Sequence, residues 1–211
     1  MDALNITGYD HIDQIRPIIE GCHRCGLRDG AHGVVFGEGS PGAHVVFIGE
    51  GPGAEEDRLL RPFVGRAGKL LDKMLEAMGF SRTKDVYILN IVKCRPPGNR
   101  APTDQERMAC LPNLSAQLQL LNPAIVVLLG GTAVQTLIDS SARISKMRGQ
   151  WIERDGQWWI PIYHPAALLR NPGWKRETWQ DLKQIMDKYR ELVDPYHSSP
   201  YYEAPSGAGD K

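Results

Sequence analysis

Four short apolar runs recur along the chain, and the stretches between them carry helical periodicity. The runs are His44-Val-Val-Phe-Ile-Gly49 and residues 86–92, 124–129 and 158–163. Each is too short for a typical buried helix and is bounded by turn residues, so each reads as a buried strand. Residues 67–78 between the first two put Leu70, Leu71, Met74, Leu75 and Met78 on one helical face, and Gly79 supplies the stop. Thr103-Asp-Gln-Glu106 has the spacing of a capping box and opens a helix carrying Cys110, which Pro112 must kink or restart. A helix follows Gly130-Gly131 through Ile138, a long amphipathic one covers 174–193, and a short one over 11–20 ends at Gly21. Strands alternating with helices predict an α/β fold: one domain over residues 1–193, with a four-stranded parallel sheet flanked by helices. From residue 194 the chain is rich in Pro, Ser, Gly and Tyr without periodicity, and 194–211 is expected to be a disordered tail.

The 211 residues suit a single ordinary domain. No run of about 18 apolar residues suggests a membrane span, and the N-terminus lacks a basic-then-apolar leader, so a cytoplasmic protein is expected. In that reducing compartment the four cysteines, Cys22-x2-Cys25 with Cys94 and Cys110, read as ligands of a metal or cluster rather than as disulfides or unrelated buried thiols. Such a centre would tie an N-terminal turn to the body of the fold.

Formal net charge is zero, 25 basic against 25 acidic residues, so the chain lacks the strongly basic balance that announces nucleic acid. Cations do cluster locally: Arg58, Arg61, Arg66 and Lys69; Lys93, Arg95 and Arg100; Arg143, Lys146 and Arg148; Arg170, Lys175 and Arg176. Any one cluster alone reads as an ordinary solvated face, but their concentration beside glycine- and proline-rich loops makes a phosphate-binding rim a candidate.

Parallel sheets bind ligands beyond the carboxyl ends of their strands. There the chain carries Gly49-Glu50-Gly51-Pro52-Gly53, then Arg61-Pro62-Phe63-Val64-Gly65-Arg66-Ala67-Gly68, then Asn90, then His164-Pro-Ala-Ala-Leu-Leu-Arg170. The glycine loop has neither the Lys-Ser/Thr ending of a P-loop nor the dinucleotide spacing. A carboxylate, an aromatic ring, an amide and an imidazole therefore gather on one edge.

These segments, with Asn90-Ile-Val-Lys-Cys94-Arg-Pro-Pro, resemble the signature blocks of the family 4 uracil-DNA glycosylases, in order from about residue 22 to 192. The resemblance implies a 4Fe–4S cluster on Cys22, Cys25, Cys94 and Cys110, and hydrolysis of the deoxyuridine N-glycosidic bond in base excision repair. It implies a uracil pocket of Gly49, Glu50, Gly51, Phe63, Asn90 and His164, with Glu50, Asn90 and His164 catalytic. Phe63 would stack on the flipped base, Asn90 would read its O4 and N3–H edge, and His164 would donate to O2. Leu168, Leu169 and Arg170 would lie against DNA, with packing beneath the last helix the alternative for the two leucines; the cation-rich loop 143–149, with Arg148, is a second candidate for backbone contact. The partner is uracil-containing DNA, single- or double-stranded, bound by a monomer; no sliding-clamp partner is named by the sequence.

Two features depart from related patterns. Gly51 replaces the alanine usual in that family, a change expected to leave the pocket intact. No aspartate stands where some relatives activate water, which leaves Glu50, Glu55, Glu56 or Asp57 for that role. A sister group traps its product through a histidine after the third cysteine, but here Arg95-Pro-Pro-Gly-Asn-Arg-Ala-Pro follows, so turnover is expected. A non-catalytic nucleic-acid-binding iron–sulfur module and a zinc-stabilised domain are the competing readings.

Overall fold

A computed structural model describes residues 4–203. In chain order the helices are α1 (Arg16–Glu20), α2 (Ala54–Leu59), α3 (Arg66–Met78), α4 (Asp104–Leu121), α5 (Gly131–Leu137), α6 (Ile144–Met147), α7 (Pro165–Arg170) and α8 (Lys175–Leu192). The strands are β1 (Glu38–Gly39), β2 (Val45–Gly49), β3 (Val86–Asn90), β4 (Ile125–Leu129), β5 (Ile152–Arg154) and β6 (Gln157–Ile162).

The sheet order is β1-β3-β2-β4-β6-β5. The four expected strands form its parallel centre, while β1 and β5 add antiparallel edges, so the sheet has six strands rather than four. Both edge strands are only two or three residues long and none of their residues is buried, so they carry no apolar run to read. The central strands β2, β3 and β4 are buried at every position, as expected when helices cover both faces.

Alternate strand residues feed two cores. Val46, Ile48, Tyr87, Leu89, Val126 and Leu128 pack with Ile12, Ile15, Ile19, Leu114 and Val134 on one face. Val45, Phe47, Ile88, Val127 and Ile160 pack with Leu71, Leu75 and Met78 of α3 and Leu182, Ile185 and Met186 of α8 on the other. This is the three-layer arrangement that period-2 strands between amphipathic helices require.

Thr103 caps α4 as the box predicts: its side chain accepts from Glu106 N, and the Glu106 side chain accepts from Thr103 N. The helix runs on through Pro112, which lies on its buried side. One missing backbone donor is offset there by packing of Cys110, Leu114 and Leu121 against the core.

Residues 194–203, expected as part of a structureless tail, fold back onto the end of α3. The His197 ring bonds Met78 O at 2.7 Å and stacks on Phe80, and Ser199 Oγ donates to Ala77 O at 2.7 Å. Arg190 donates to the carbonyls of His197 and Tyr202. Residues 204–211 of that expectation lie outside the described residues.

Among the described residues no helix is long and apolar enough to cross a membrane.

Candidate active site and cysteine cavity

The carboxyl ends of β2, β3, β4 and β6 meet where the strand order reverses between β2 and β4, the crevice in which such sheets bind ligands. Gly49 and Asn90 are register partners at the ends of β2 and β3. Asn90 is buried, and its Oδ1 has no hydrogen-bond partner. An orphaned amide oxygen in a core is rare, because its desolvation goes uncompensated until something binds it.

Gly49 is required beside it. A Cβ there would lie 2.4 Å from Phe63 Cζ and 2.7 Å from Asn90 Oδ1. Phe63 is itself buried and holds a left-handed backbone, φ 52°, at a cost of about 1–2 kcal/mol for a non-glycine residue. Its ring lies 5.5 Å from that of His164, tilted by 31°. Phenyl ring, amide and imidazole thus come together as expected.

His164 is the N-cap of α7, and its Nδ1 accepts from Ala166 N at 3.1 Å. An accepting Nδ1 leaves the proton of the neutral ring on Nε2. Burial, and then the nearby Arg170 cation, push the imidazole down to about 4. The ring is therefore neutral at physiological pH and has one N–H to give. Its part-exposed edge lines a cleft of about 420 Å³ shared with Glu50, Gly130, Thr132, Tyr163, Arg170 and Trp174.

Of these, Thr132, Tyr163 and Trp174 belong to no motif that marks them in the sequence. Gly130, at φ 88°, clears His164, whose Cβ would sit 2.9 Å from any Cβ at that position. Thr132 Oγ1 donates to Glu50 Oε2 and orients that carboxylate. Trp174 stacks on Tyr163 at 4.5 Å and 19°. A Gly-Gly pair after an apolar run is the one signal that pointed to this wall.

The alternative carboxylates are committed elsewhere. Glu55 pairs with Arg58, Glu56 Oε1 accepts from Val64 N and Gly65 N, and Asp57 accepts from His32 N and bonds its ring at 2.7 Å. Glu50 alone of the four lines the cleft. At Gly51 a Cβ would meet Val92 Cγ2 at 2.7 Å, so an alanine in this backbone would need Val92 to shift.

Two expected DNA contacts are placed otherwise. Leu168 is 1% exposed and packs into the core with Leu129, Ile162 and Tyr163, because it falls on the sheet-facing side of α7. Leu169, on the next position round the helix, is 38% exposed. Arg148 turns inward: Nη2 and Nε bind the Asp181 carboxylate at 2.6 and 3.1 Å, and Nη2 also binds Glu177 O. Burial nevertheless pushes Asp181 up to about 6, against the pull of the Arg148 hydrogen bond. Breaking such a pair strands a buried charge. Arg148→Ala should therefore cost about 3–5 kcal/mol in a denaturation curve. A variant as stable as the parent but weaker on DNA would restore Arg148 to the rim. Arg58, Arg61 and Arg100 are also paired with carboxylates, so the rim is narrower than the cation clusters suggest.

All four cysteines are free thiols lining one cavity, bounded also by Ile19, Arg28, Val92, Lys93 and Asn113. Asn113 Nδ2 donates to Cys22 Sγ at 3.4 Å. Burial, then the neighbouring Cys110, pushes the Cys94 thiol up to about 12, and burial raises Cys25 and Cys110 as well. Thiolates thus need a cation to share this space. Lys93 Nζ and Arg28 Nε are buried here without a partner, which suits a centre that is anionic overall once four thiolates bind it. Among the described residues no group of three or more His, Cys, Asp or Glu side chains closes at the distances that hold a single metal ion. The four thiols share this one cavity, which makes them a candidate ligand set for a metal centre.

Comparison with known proteins agrees with this geometry. Residues 36–183 match the model of the uracil DNA glycosylase superfamily. The chain is 48% identical over 155 residues to a type-4 uracil-DNA glycosylase of Thermotoga maritima, covering 72% of this chain and 80% of that protein. It is 40% identical to the type-4 enzyme of Archaeoglobus fulgidus, covering 83% and 92%. It is 38% identical to that of Sulfurisphaera tokodaii, covering 84% of each. With its sheet-edge pocket, its cysteine quartet and this similarity over most of its length, the chain belongs to the uracil-DNA glycosylase superfamily, among its type-4 members.

Proposed function

We propose that the chain hydrolyses the N-glycosidic bond of deoxyuridine in DNA, releasing uracil and leaving an abasic site. The observation that carries this reading is the orphaned Asn90 Oδ1, buried beneath Phe63 beside a glycine that no larger residue could replace. In this reading a uracil swung out of the DNA stacks on Phe63, a contact of about 1–3 kcal/mol. Asn90 Oδ1 accepts from N3–H and Nδ2 donates to O4. Cytosine offers an unprotonated N3 and an amino group there, so the same amide rejects it.

As the C1′–N1 bond breaks, its electron pair goes to the base and charge builds on O2. The Nε2–H of His164 donates to that oxygen. The deoxyribosyl cation is captured by water, whose proton passes to Glu50, held by Thr132. Leu169 fills the gap left by the flipped nucleotide, and Arg170 meets the backbone. Nothing in this scheme uses a lysine nucleophile, so the strand is left uncut.

Cys22, Cys25, Cys94 and Cys110 would hold a 4Fe–4S cluster, which would supply a structural crosslink between the N-terminal turn and α4. The preferred partner is uracil-containing DNA, met by a monomer.

The test is release of uracil from a labelled single-stranded oligonucleotide, with a cytosine control and hot alkali to cut abasic sites. Cleavage at uracil only, with turnover, supports the reading. Folded, brown protein that leaves no abasic site would favour a non-catalytic binding module.

A neutral His164 predicts a particular pH profile. Its folded value of about 4 lies below the ordinary 6.5, so protonation favours the unfolded chain. The resulting stability is full above 6.5 and is lost as pH falls toward 4. Excision should show no inflection from this group near 6.5 and should fail only toward pH 4. A His164-dependent inflection near 6.5, absent in His164→Gln, would contradict it.

A further inference from the structure

We infer that Arg82, in the turn between α3 and β3, is the positioning residue that holds Phe63 in its stacking pose; the inference rests on the role proposed for Phe63. Phe63 needs outside support, because its left-handed backbone is not one a phenylalanine chooses. Arg82 supplies that support from one side. Its Nη1 donates to Phe63 O at 3.0 Å, and its Nη2 donates to Pro62 O. A planar fork grips two successive carbonyls, a contact that a lysine ammonium cannot copy.

The fork is itself fixed. Nε donates to Glu38 Oε1 at 3.2 Å and Nη1 to Asp72 Oδ1 at 2.9 Å, with the Arg82 side chain only 14% exposed. Glu38 is gripped in turn by Arg61 Nε and Nη2 at 2.7 and 2.8 Å. The edge strand β1, absent from any apolar pattern, thus carries the carboxylate that anchors the clamp.

From the other side Glu56 Oε1 accepts from Val64 N and Gly65 N at 2.9 and 2.8 Å. The carbonyls before the loop's midpoint are taken by a cation and the amides after it by an anion. Underneath, Gly68 lets α3 approach so closely that a Cβ there would fall 1.9 Å from Phe63 O. With backbone polar groups satisfied on both flanks, the loop holds the ring toward Gly49 and His164. None of Arg82, Glu38 or Glu56 lines the cleft, so none is a catalytic residue.

The experiment is a double-mutant cycle on single-turnover uracil release, using Phe63→Ala, Arg82→Ala, Arg82→Lys and the combinations with Phe63→Ala. If Arg82 acts through Phe63, Arg82→Ala loses about tenfold, the size of one stacking contact, chiefly in half-saturating DNA concentration. Arg82→Lys, which keeps the charge and the fold but not the fork, loses nearly as much. In the Phe63→Ala background neither change costs anything further, whatever it does to the thermal midpoint. Additive losses, or full activity in folded Arg82→Lys, overturn the clamp while leaving Phe63 as the stacking residue. Full activity in Phe63→Ala itself overturns the stacking role and the clamp with it.

Discussion

Asn90→Ala should lose uracil excision on the order of 10²–10³-fold in single-turnover rate, with thermal stability held or raised. The combination is unusual and follows from the site. Asn90 is 2% exposed, and its Oδ1 is desolvated without a partner in the free protein, so removing it relieves a folding penalty. The same atom is the acceptor that uracil N3–H would find already stripped of water. Asn90→Asp tests the donor half. A carboxylate accepts only, so it repels uracil O4, and whatever residual activity survives should discriminate less between uracil and cytosine. Unchanged rate and unchanged preference for uracil over cytosine in Asn90→Ala would sink the pocket assignment. Loss of activity together with loss of folding would make Asn90 a structural residue.

Cys94→Ala is the second large effect, and it falls on stability. Cys94 lies just beyond β3, four residues after Asn90, and lines the cavity with Cys22, Cys25 and Cys110. If the quartet holds a cluster, removing one ligand deletes the link between the N-terminal turn and α4. It also leaves the buried Lys93 ammonium, and the buried Nε of half-buried Arg28, with no anionic centre. The expected cost is on the order of 4 kcal/mol or more. For a chain of this length that lowers the thermal midpoint by roughly 8–16 °C. The purified protein should lose its brown colour, and activity should fall with folding rather than with kcat. A colourless Cys94→Ala protein, as stable and active as the parent, would refute the structural role. A parent protein that is colourless and carries zinc would replace the cluster with a single ion.

The two effects are joined in the sequence: Asn90-Ile-Val-Lys-Cys94 runs from the amide proposed to read the base to a cysteine of the quartet in five residues. Ile91 N and Val92 N bond Gly49 O and Glu50 O, so the same segment also pins the pocket's carboxylate loop. Loss of the quartet should therefore loosen the pocket by way of residues 91–94.

Much of this was readable without coordinates because the interactions responsible are local. Four buried strands announce themselves as apolar runs, the α4 start as a capping box, and the α3 stop as Gly79, which takes φ 80°. Once the strands are parallel, topology alone gathers Glu50, Asn90 and His164 at one edge. What remained hidden depends on partners distant in sequence. Leu168 and Leu169 are equivalent as letters, and only the packing of α7 on the sheet buries one and exposes the other. Arg148 looks like a DNA-facing cation until Asp181, 33 residues on, takes its fork. Arg82 looks like a surface residue until α3 and β1 bring Phe63, Asp72 and Glu38 to it. Periodicity and spacing determined the framework and the place of the chemistry, since backbone geometry enforces both over a few residues. Tertiary packing alone decided which side chains remain available to a ligand, since a charge or an apolar group is committed by whatever the fold sets against it.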